Sequence, residues 1–265
     1  MQRRVTADPV PRERQATAAA RDEHALGLTA WIPAAARSLA LPADPWVSLN
    51  VLWRTRVLHE AAAAFFADYP DALGVNLGCG LADPFRALDN HRNRWIDADL
   101  APVIRTRRSL LDPGCDRQHT HTVDLRQPGW WQALGLPERS QPDARPVFVL
   151  CEGVMMYLTP AQAQAALREF ATHAPPGSRW AMDVISWLGV GCAGLVPSLA
   201  ATGAQFRWGV RDLDELAALH PRLQLLDAHS VAECWGPGGL WLQALNWPWL
   251  GAPPYSVVTL GVSGA

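Results

Sequence analysis

Three carboxylates and one glycine turn mark the stretch of this chain whose residue types could do chemistry. In GVNLGCGLADPFRALDN (74–90) an apolar run meets Gly78-Cys79-Gly80 and then a stretch with helical spacing. A strand that feeds a glycine turn and then a helix leaves backbone N–H groups unpaired at the helix start, and glycines let a ligand come close to them. Asp99 stands nineteen residues beyond Gly80 at the end of the next apolar run. An acid there can accept hydrogen bonds from both hydroxyls of a ribose. Asp124 closes a third run, where it could accept from an adenine amino group while Leu125 packs on the ring; it would equally cap the turn at Arg126-Gln127-Pro128. Asp97 reads as well for a solvent-facing or helix-capping residue as for a ligand contact. Glu152 follows a fourth run beside Met155 and Met156, and a carboxylate in so apolar a segment needs a partner.

Two adenosine cofactors compete for such a row. A dinucleotide fingerprint wants a third glycine at the position of Asp83, so that helix and pyrophosphate can both approach. Asp83 instead places negative charge where phosphates would lie. This disfavours NAD and a nicotinamide oxidoreductase, and it suits a ligand carrying cations, the sulfonium and ammonium of S-adenosylmethionine.

The elements that must position these residues follow from periodicity. Apolar runs short enough for buried strands lie near 72–77, 93–99, 119–124, 146–151, 178–185, 223–228 and 255–262. Helical stretches fall between them near 81–89, 101–111, 128–135, 160–173 and 212–220. Thr159, Pro160 and Gln162 sign the start of the fourth helix, and Asp212 with Glu215 repeats the device for the fifth. Such alternation predicts an α/β fold, a doubly wound, mostly parallel seven-stranded sheet covered on both faces. Ligands then sit outside the carboxyl ends of the strands. Residues 1–70 read as a loose arm and an N-terminal helical cap, with helical patterns in WIPAAARSLA and in WVSLNVLWRTRVLHEAAAAFF; residues 71–265 form the main domain. The five glycines of 186–210 predict a lid or substrate wall, and the Gly- and Trp-rich stretch 235–251 is expected to shape the same pocket.

Composition narrows the partners. A formal charge of −2 with 18% charged residues carries no basic excess for nucleic acid. Five widely spaced cysteines without a C-x-x-C argue against a disulfide framework and a zinc site, and suggest a reducing cytoplasm. No run of eighteen apolar residues predicts a membrane span. Most of the thirteen tryptophans read as packing. His119 and His121 alternate on one strand face and read as structural or exposed rather than catalytic.

Together, LWRTRVL (52–58), GVNLGCGL (74–81), ALDNHRNRWIDADLAPVIRTRR (87–108), VDL (123–125), EGVMMYL (152–158) and FRWGVRD (206–212) resemble the leucine carboxyl methyltransferase-like family, polyketide carboxyl O-methyltransferase branch. The resemblance implies a class I, Rossmann-like methyltransferase fold using S-adenosylmethionine. It implies a basic residue of the RTR segment on the methionine carboxylate, Arg54 before Arg56. Gly78, Cys79 and Gly80 would face the methionine and ribose, Asp99 with Leu100 the ribose, and Asp124 with Leu125 the adenine. Glu152 would sit near the ammonium or sulfonium, and Tyr157 beside the transferring methyl, these two being the catalytic candidates. Arg56, Tyr157 and Trp208 are the candidates for contact with the acceptor, a small-molecule carboxylate or phenol, free or carrier-bound. The family's Asp-Thr-Arg after GCGL is replaced by Ala82-Asp83-Pro84, with Arg86 two residues further on. That loss of an arginine keeps a non-catalytic binding module as a rival reading.

Overall fold

The computed structural model describes residues 45–264 except 113, 196 and 201. The N-terminal arm and the helical pattern of 31–40 lie outside the described residues. Seven strands form one sheet: β1 Leu73–Leu77, β2 Arg94–Asp99, β3 Gln118–Thr122, β4 Val147–Cys151, β5 Arg179–Ile185, β6 Leu223–Ser230 and β7 Tyr255–Val262. Their spatial order is β3-β2-β1-β4-β5-β7-β6. The first five pair in parallel, and β7 runs antiparallel between β5 and β6. The chain winds outward from β1 to β3 and then returns to lay β4 on the other side of β1. That reversal opens a crevice above the carboxyl ends of β1 and β4.

The central strands are buried on both faces, as a parallel sheet between two layers requires. In β4, Val147, Val149 and Cys151 join one core with Trp130, Trp131, Phe170 and Trp180. Phe148 and Leu150 join the other, against Val57, Leu58, Ala62, Phe65 and Phe66 of helix α1 (Pro45–Asp68). Fully burying a side chain of this size contributes about 1.5–3 kcal/mol, so α1 is bound into the fold by its apolar stripe. Between the strands stand α2 (Phe85–Leu88), α3 (Ala101–Leu110), α4 (Trp130–Ala133), α5 (Pro160–His173), α6 (Pro197–Ala200), α7 (Asp214–Ala217) and α8 (Gly236–Leu250). At α5 the Thr159 side chain accepts from the Gln162 N–H while the Gln162 side chain accepts from the Thr159 N–H, the full reciprocal cap.

Two local expectations are corrected. The device does not repeat at α7: the Asp212 carboxylate accepts from Asp214 N, and Glu215 reaches back to Arg211 N instead of Asp212. Within 235–251, GPGGLWLQALNWPWL forms α8 against the tight turn Val231–Trp235 despite three glycines and two prolines. Asp97 neither faces solvent nor caps a helix; it is fully buried.

Asp97 is the centre of a polar network on the α1 side of the sheet. Its Oδ1 accepts from Asn76 Nδ2 at 3.0 Å and Trp95 Nε1 at 3.1 Å, and its Oδ2 from Gln118 Nε2 at 2.8 Å and Arg107 Nη2 at 3.0 Å. Four donors from β1, β2, β3 and α3 therefore fill one carboxylate. Arg107, itself 3% exposed, also donates through Nη1 to the Gly80 and Ala82 carbonyls. One guanidinium thus ties the loop after β1 to a buried acid.

Removing Thr159 as Thr159→Ala is expected to cost about 1 kcal/mol in urea unfolding. Arg107→Ala strands a buried charge and is expected to cost about 3–5 kcal/mol in the same measurement. The double variant Asp97→Asn, Arg107→Ala is expected to recover part of that loss. A cost below about 1 kcal/mol for Arg107→Ala would show that the other three donors suffice.

Candidate active site

The crevice holds a cavity with about 190 Å³ of space open to water-sized atoms. Its wall is built from four successive strand ends and the face of α1 that carries Thr55 and His59. The loop after β1 contributes Gly78 through Pro84, β2 contributes Asp99 and Leu100, the turn after β3 contributes Val123 through Arg126, and the turn after β4 contributes Glu152, Gly153, Val154, Tyr157 and Leu158.

The glycine turn is tight for a steric reason. Gly78 has φ +67°, and a Cβ there would sit 2.2 Å from a methyl of Val154 across the crevice. Gly80 has φ +51°. Within the turn the N–H groups of the two glycines and of Cys79 are engaged by the protein itself. Gly78 N and Cys79 N both donate to the Ala98 carbonyl, Gly80 N donates to Asp99 Oδ2, Ala82 N to the Cys79 carbonyl, and Pro84 at the start of α2 has no N–H.

Asp99 takes Gly80 N on one oxygen at 2.8 Å and Leu100 N on the other at 2.7 Å. Each oxygen keeps a lone pair for a ligand hydroxyl. Burial pushes the Asp99 carboxyl above the ordinary range, against the two N–H groups and Arg107 that oppose it. Asp124 closes its own turn by accepting from Arg126 N while Arg126 Nε and Nη2 grip its two oxygens at 2.8 and 2.9 Å, and it also lines the cavity. Burial would raise the Asp124 carboxyl, yet the Arg126 guanidinium and backbone N–H outweigh it and hold it below its usual value.

On the β4 side, Glu152 has the partners its setting demands: Arg54 Nε at 3.1 Å and Thr55 Oγ1 at 2.9 Å. Arg54 does not line the cavity. It lies behind Glu152, where Nη1 donates to Asp183 Oδ2 at 3.2 Å and Tyr255 Oη at 2.7 Å. Asp183 accepts in addition from Tyr255 Oη and, at 2.6 Å, from Gly153 N. Gly153 has φ +69°, where an L side chain is strained, and a Cβ there would sit 3.0 Å from Arg54 Nη2. Burial works against the Arg54 charge, and Tyr255, Asp183 and Glu152 overcome it, leaving the guanidinium held well above its ordinary value. Asp183 could have been suspected as the lone acid within the apolar strand RWAMDVI, but Tyr255, seventy-two residues away, carries no local signal.

Tyr157 lines the cavity with its ring 5.5 Å from that of Phe206. Burial pushes its phenol up to about 12, Arg54 opposing and Asp183 adding to the rise. The hydroxyl therefore stays protonated across neutral pH. Residues 206–208 reach this turn through Arg207 N and Trp208 N, both donating to the Met156 carbonyl. Between 186 and 210 the described residues form short turns at Trp187–Gly189 and Cys192–Leu195, followed by α6.

Arg56 and Trp208 are placed elsewhere. Arg56 is exposed and pairs with Glu60 one helical turn on, and Trp208 is 6% exposed within the main core. Arg86 is exposed beside Asp83. His119 and His121 are exposed on β3. Among the described residues no group of His, Cys, Asp and Glu could hold a metal ion, and no helix is long and apolar enough to cross a membrane.

Comparison with solved structures shows the same fold in a protein of Thermobifida fusca YX described as a candidate methyltransferase, with a TM-score of 0.59, 16% identity, and coverage of 91% of this chain and 94% of that one. A DUF574 family protein of Streptomyces avermitilis gives a TM-score of 0.54 at 17% identity over 79% and 82%. In sequence, the tetracenomycin polyketide synthesis O-methyltransferase TcmP of Streptomyces glaucescens is 32% identical over 184 residues, 69% of this chain and 65% of that protein. The S-adenosyl-L-methionine-dependent methyltransferase dpfgK of Gibberella zeae is 29% identical over 192 residues, 66% and 60% of the two chains. The match thus spans slightly under two thirds of the length of these curated relatives. The leucine carboxyl methyltransferase family matches residues 10–171, more than half of the sequence, and the chain belongs to that family.

Proposed function

We propose that the protein is an S-adenosylmethionine-dependent O-methyltransferase that esterifies a carboxylate of a small molecule. The observation that carries this reading is the charge of the cavity wall. Asp83, Asp99, Asp124 and Glu152 line it, and the one arginine among the lining residues, Arg126, is spent on Asp124. With the N–H groups of the glycine turn engaged internally, such a wall repels a pyrophosphate and favours a ligand with ammonium and sulfonium charges. The O-methyltransferase name of the Streptomyces relative and the carboxyl specificity in the family's name support the same reaction.

In this reading Asp99 accepts the ribose hydroxyls with Leu100 beside the ribose, Leu125 packs on the adenine with Asp124 at its edge, and Gly78 through Gly80 pass close to the sugar and the amino acid. Glu152 faces the cationic end. Arg54 acts through Glu152 as a positioning residue, holding that carboxylate and, with Asp183, the Gly153 turn. Tyr157 presents an aromatic face suited to a sulfonium. S-adenosylmethionine supplies an activated methyl group when bound. What remains for the chain is to align an acceptor oxygen with that methyl and exclude water. A carboxylic acid with an ordinary pKa of ~4 is already ionised at neutral pH. It therefore needs no proton removed, which agrees with a Tyr157 that cannot serve as base there.

Calorimetric titration with S-adenosylhomocysteine and NAD in parallel is expected to show saturable binding of the first alone. Asp99→Ala is expected to weaken that binding by about 1–3 kcal/mol, the cost of stranding the ribose hydroxyls; unchanged affinity would remove Asp99 from the ligand. A methylated product should lose its methyl group in mild alkali, as an ester does. An alkali-stable product would assign the acceptor oxygen to a phenol.

A further inference from the structure

Five of the six phenylalanines of the chain, Phe65, Phe66, Phe85, Phe148 and Phe170, are buried in the two cores. Phe206 is the exception. It is only half-buried, and its ring lies 5.5 Å from that of Tyr157, a residue of the cavity wall. Trp208 and Val210, on the same short strip of chain, are buried in the main core. A core was therefore within reach of this strip, and the Phe206 ring is not in it. A phenylalanine left half in water forgoes part of the free energy that its burial would supply. Phe206 does not line the cavity itself; it adjoins it through Tyr157.

The strip is held from two sides. Arg207 N at 2.7 Å and Trp208 N at 3.2 Å donate to the Met156 carbonyl, in the turn that carries Tyr157. Gly191 N donates to the Phe206 carbonyl and Trp187 N to the Val210 carbonyl, both at 2.9 Å. Gly209 runs so close to this second segment that a Cβ there would sit 2.6 Å from the Ser186 carbonyl oxygen. The segment tied to Phe206 in this way exposes Trp187, Leu188 and Val190 at 40%, 47% and 41%. The Arg211 guanidinium takes one face of Trp187, 4.3 Å from the ring centre. Leu188 and Val190 stand in water. Apolar surface thus continues from a cavity residue to Phe206 and on to an exposed apolar turn whose backbone is bonded to it, as expected of a binding wall rather than of scattered surface residues.

The reacting end of the methyl donor lies beside Tyr157 in the reading above, and the acceptor oxygen must stand in line with the methyl group. The rest of the acceptor then extends away from Tyr157, and the neighbouring surface that the chain offers it is aromatic. We propose that Phe206 sets acceptor specificity: the ring of an aromatic carboxylic acid packs on Phe206 while its carboxylate is directed to Tyr157 and the methyl donor. Tilted rings 5.5 Å apart already form a favourable aromatic pair, and a third ring extends it. This inference rests on the methyl-donor reading of the cavity and adds to it the class of acceptor and a residue that selects it.

The test is calorimetric titration of the full chain and of Phe206→Ala, first with S-adenosylhomocysteine and then, with that ligand saturating, with two probes: 2-naphthoate and its saturated decahydro counterpart, which keeps the carboxylate and the carbon skeleton but has no aromatic face. The parent is expected to bind 2-naphthoate, and the saturated acid at least about fivefold more weakly. Phe206→Ala is expected to bind 2-naphthoate roughly tenfold or more weakly, through loss of the ring contact and its buried area. It is expected to keep its affinity for S-adenosylhomocysteine within about twofold, which also shows that the variant is folded. Equal binding of the two acids by the parent overturns the proposal, as does a Phe206→Ala variant that binds 2-naphthoate as the parent does. An equal loss of S-adenosylhomocysteine and 2-naphthoate in the variant also overturns it, since Phe206 would then support the cavity and not the acceptor. A parent that binds S-adenosylhomocysteine but neither acid leaves the adenosyl reading standing and removes the aromatic acceptor; a parent that does not bind S-adenosylhomocysteine removes both.

Discussion

The carboxylate of Asp97 sits at zero exposure and takes four hydrogen bonds, from Asn76, Trp95, Arg107 and Gln118. A buried charge is tolerable only when it is paired and its lone pairs are filled. Satisfying this one binds β1, β2, β3 and α3 into a single arrangement. The same guanidinium that neutralises Asp97 reaches on to the carbonyls of Gly80 and Ala82, so the loop that begins the cavity has the position that the buried acid dictates. Gln118 extends the network to Asp83, accepting no freedom there either, by bridging the two carboxylates at 2.8 and 2.9 Å.

A second buried acid does the corresponding work across the crevice. Asp183, also fully buried, holds Arg54, Tyr255 and the Gly153 N–H, and Arg54 in turn holds Glu152. Asp97 and Asp183 lie on the sheet face that packs against α1, one on each side of the reversal between β1 and β4. The two loops that meet there, at Gly78 and Val154, are each fixed from below by a charged network rather than by their own residues. A preorganised wall of this kind is what alignment of a methyl donor and an acceptor requires, because a misplacement of about 1 Å can cost a hundredfold in rate.

The fold was largely legible in the chain because the evidence for it is local. Apolar runs such as VFVLC, and the Thr159-Pro160-Gln162 cap, carry their meaning within a few residues. The strand-end acids were legible for the same reason, each closing an apolar run. What pairs with them was not: Arg107, Gln118, Asp183 and Tyr255 meet their partners across ten to two hundred and one residues, and nothing near them in sequence announces it. The same separation explains Trp208, whose neighbourhood resembles a pocket wall but whose side chain fills the core, and Arg56, which shares a tripeptide with Arg54 yet points to the opposite side of α1. Glycines take their meaning from what surrounds them. Those of α8 are tolerated within a helix, and those of the first turn serve a tight reversal whose N–H groups are satisfied by Ala98 and Asp99.

The measurement that bears most directly on this account is a crystal structure of the protein with S-adenosylhomocysteine. The account predicts the nucleoside in the crevice between β1 and β4, its ribose hydroxyls within hydrogen-bond distance of Asp99, its adenine against Leu125 and its ammonium toward Glu152. A ligand bound elsewhere, or one whose ribose turns away from Asp99, would contradict it.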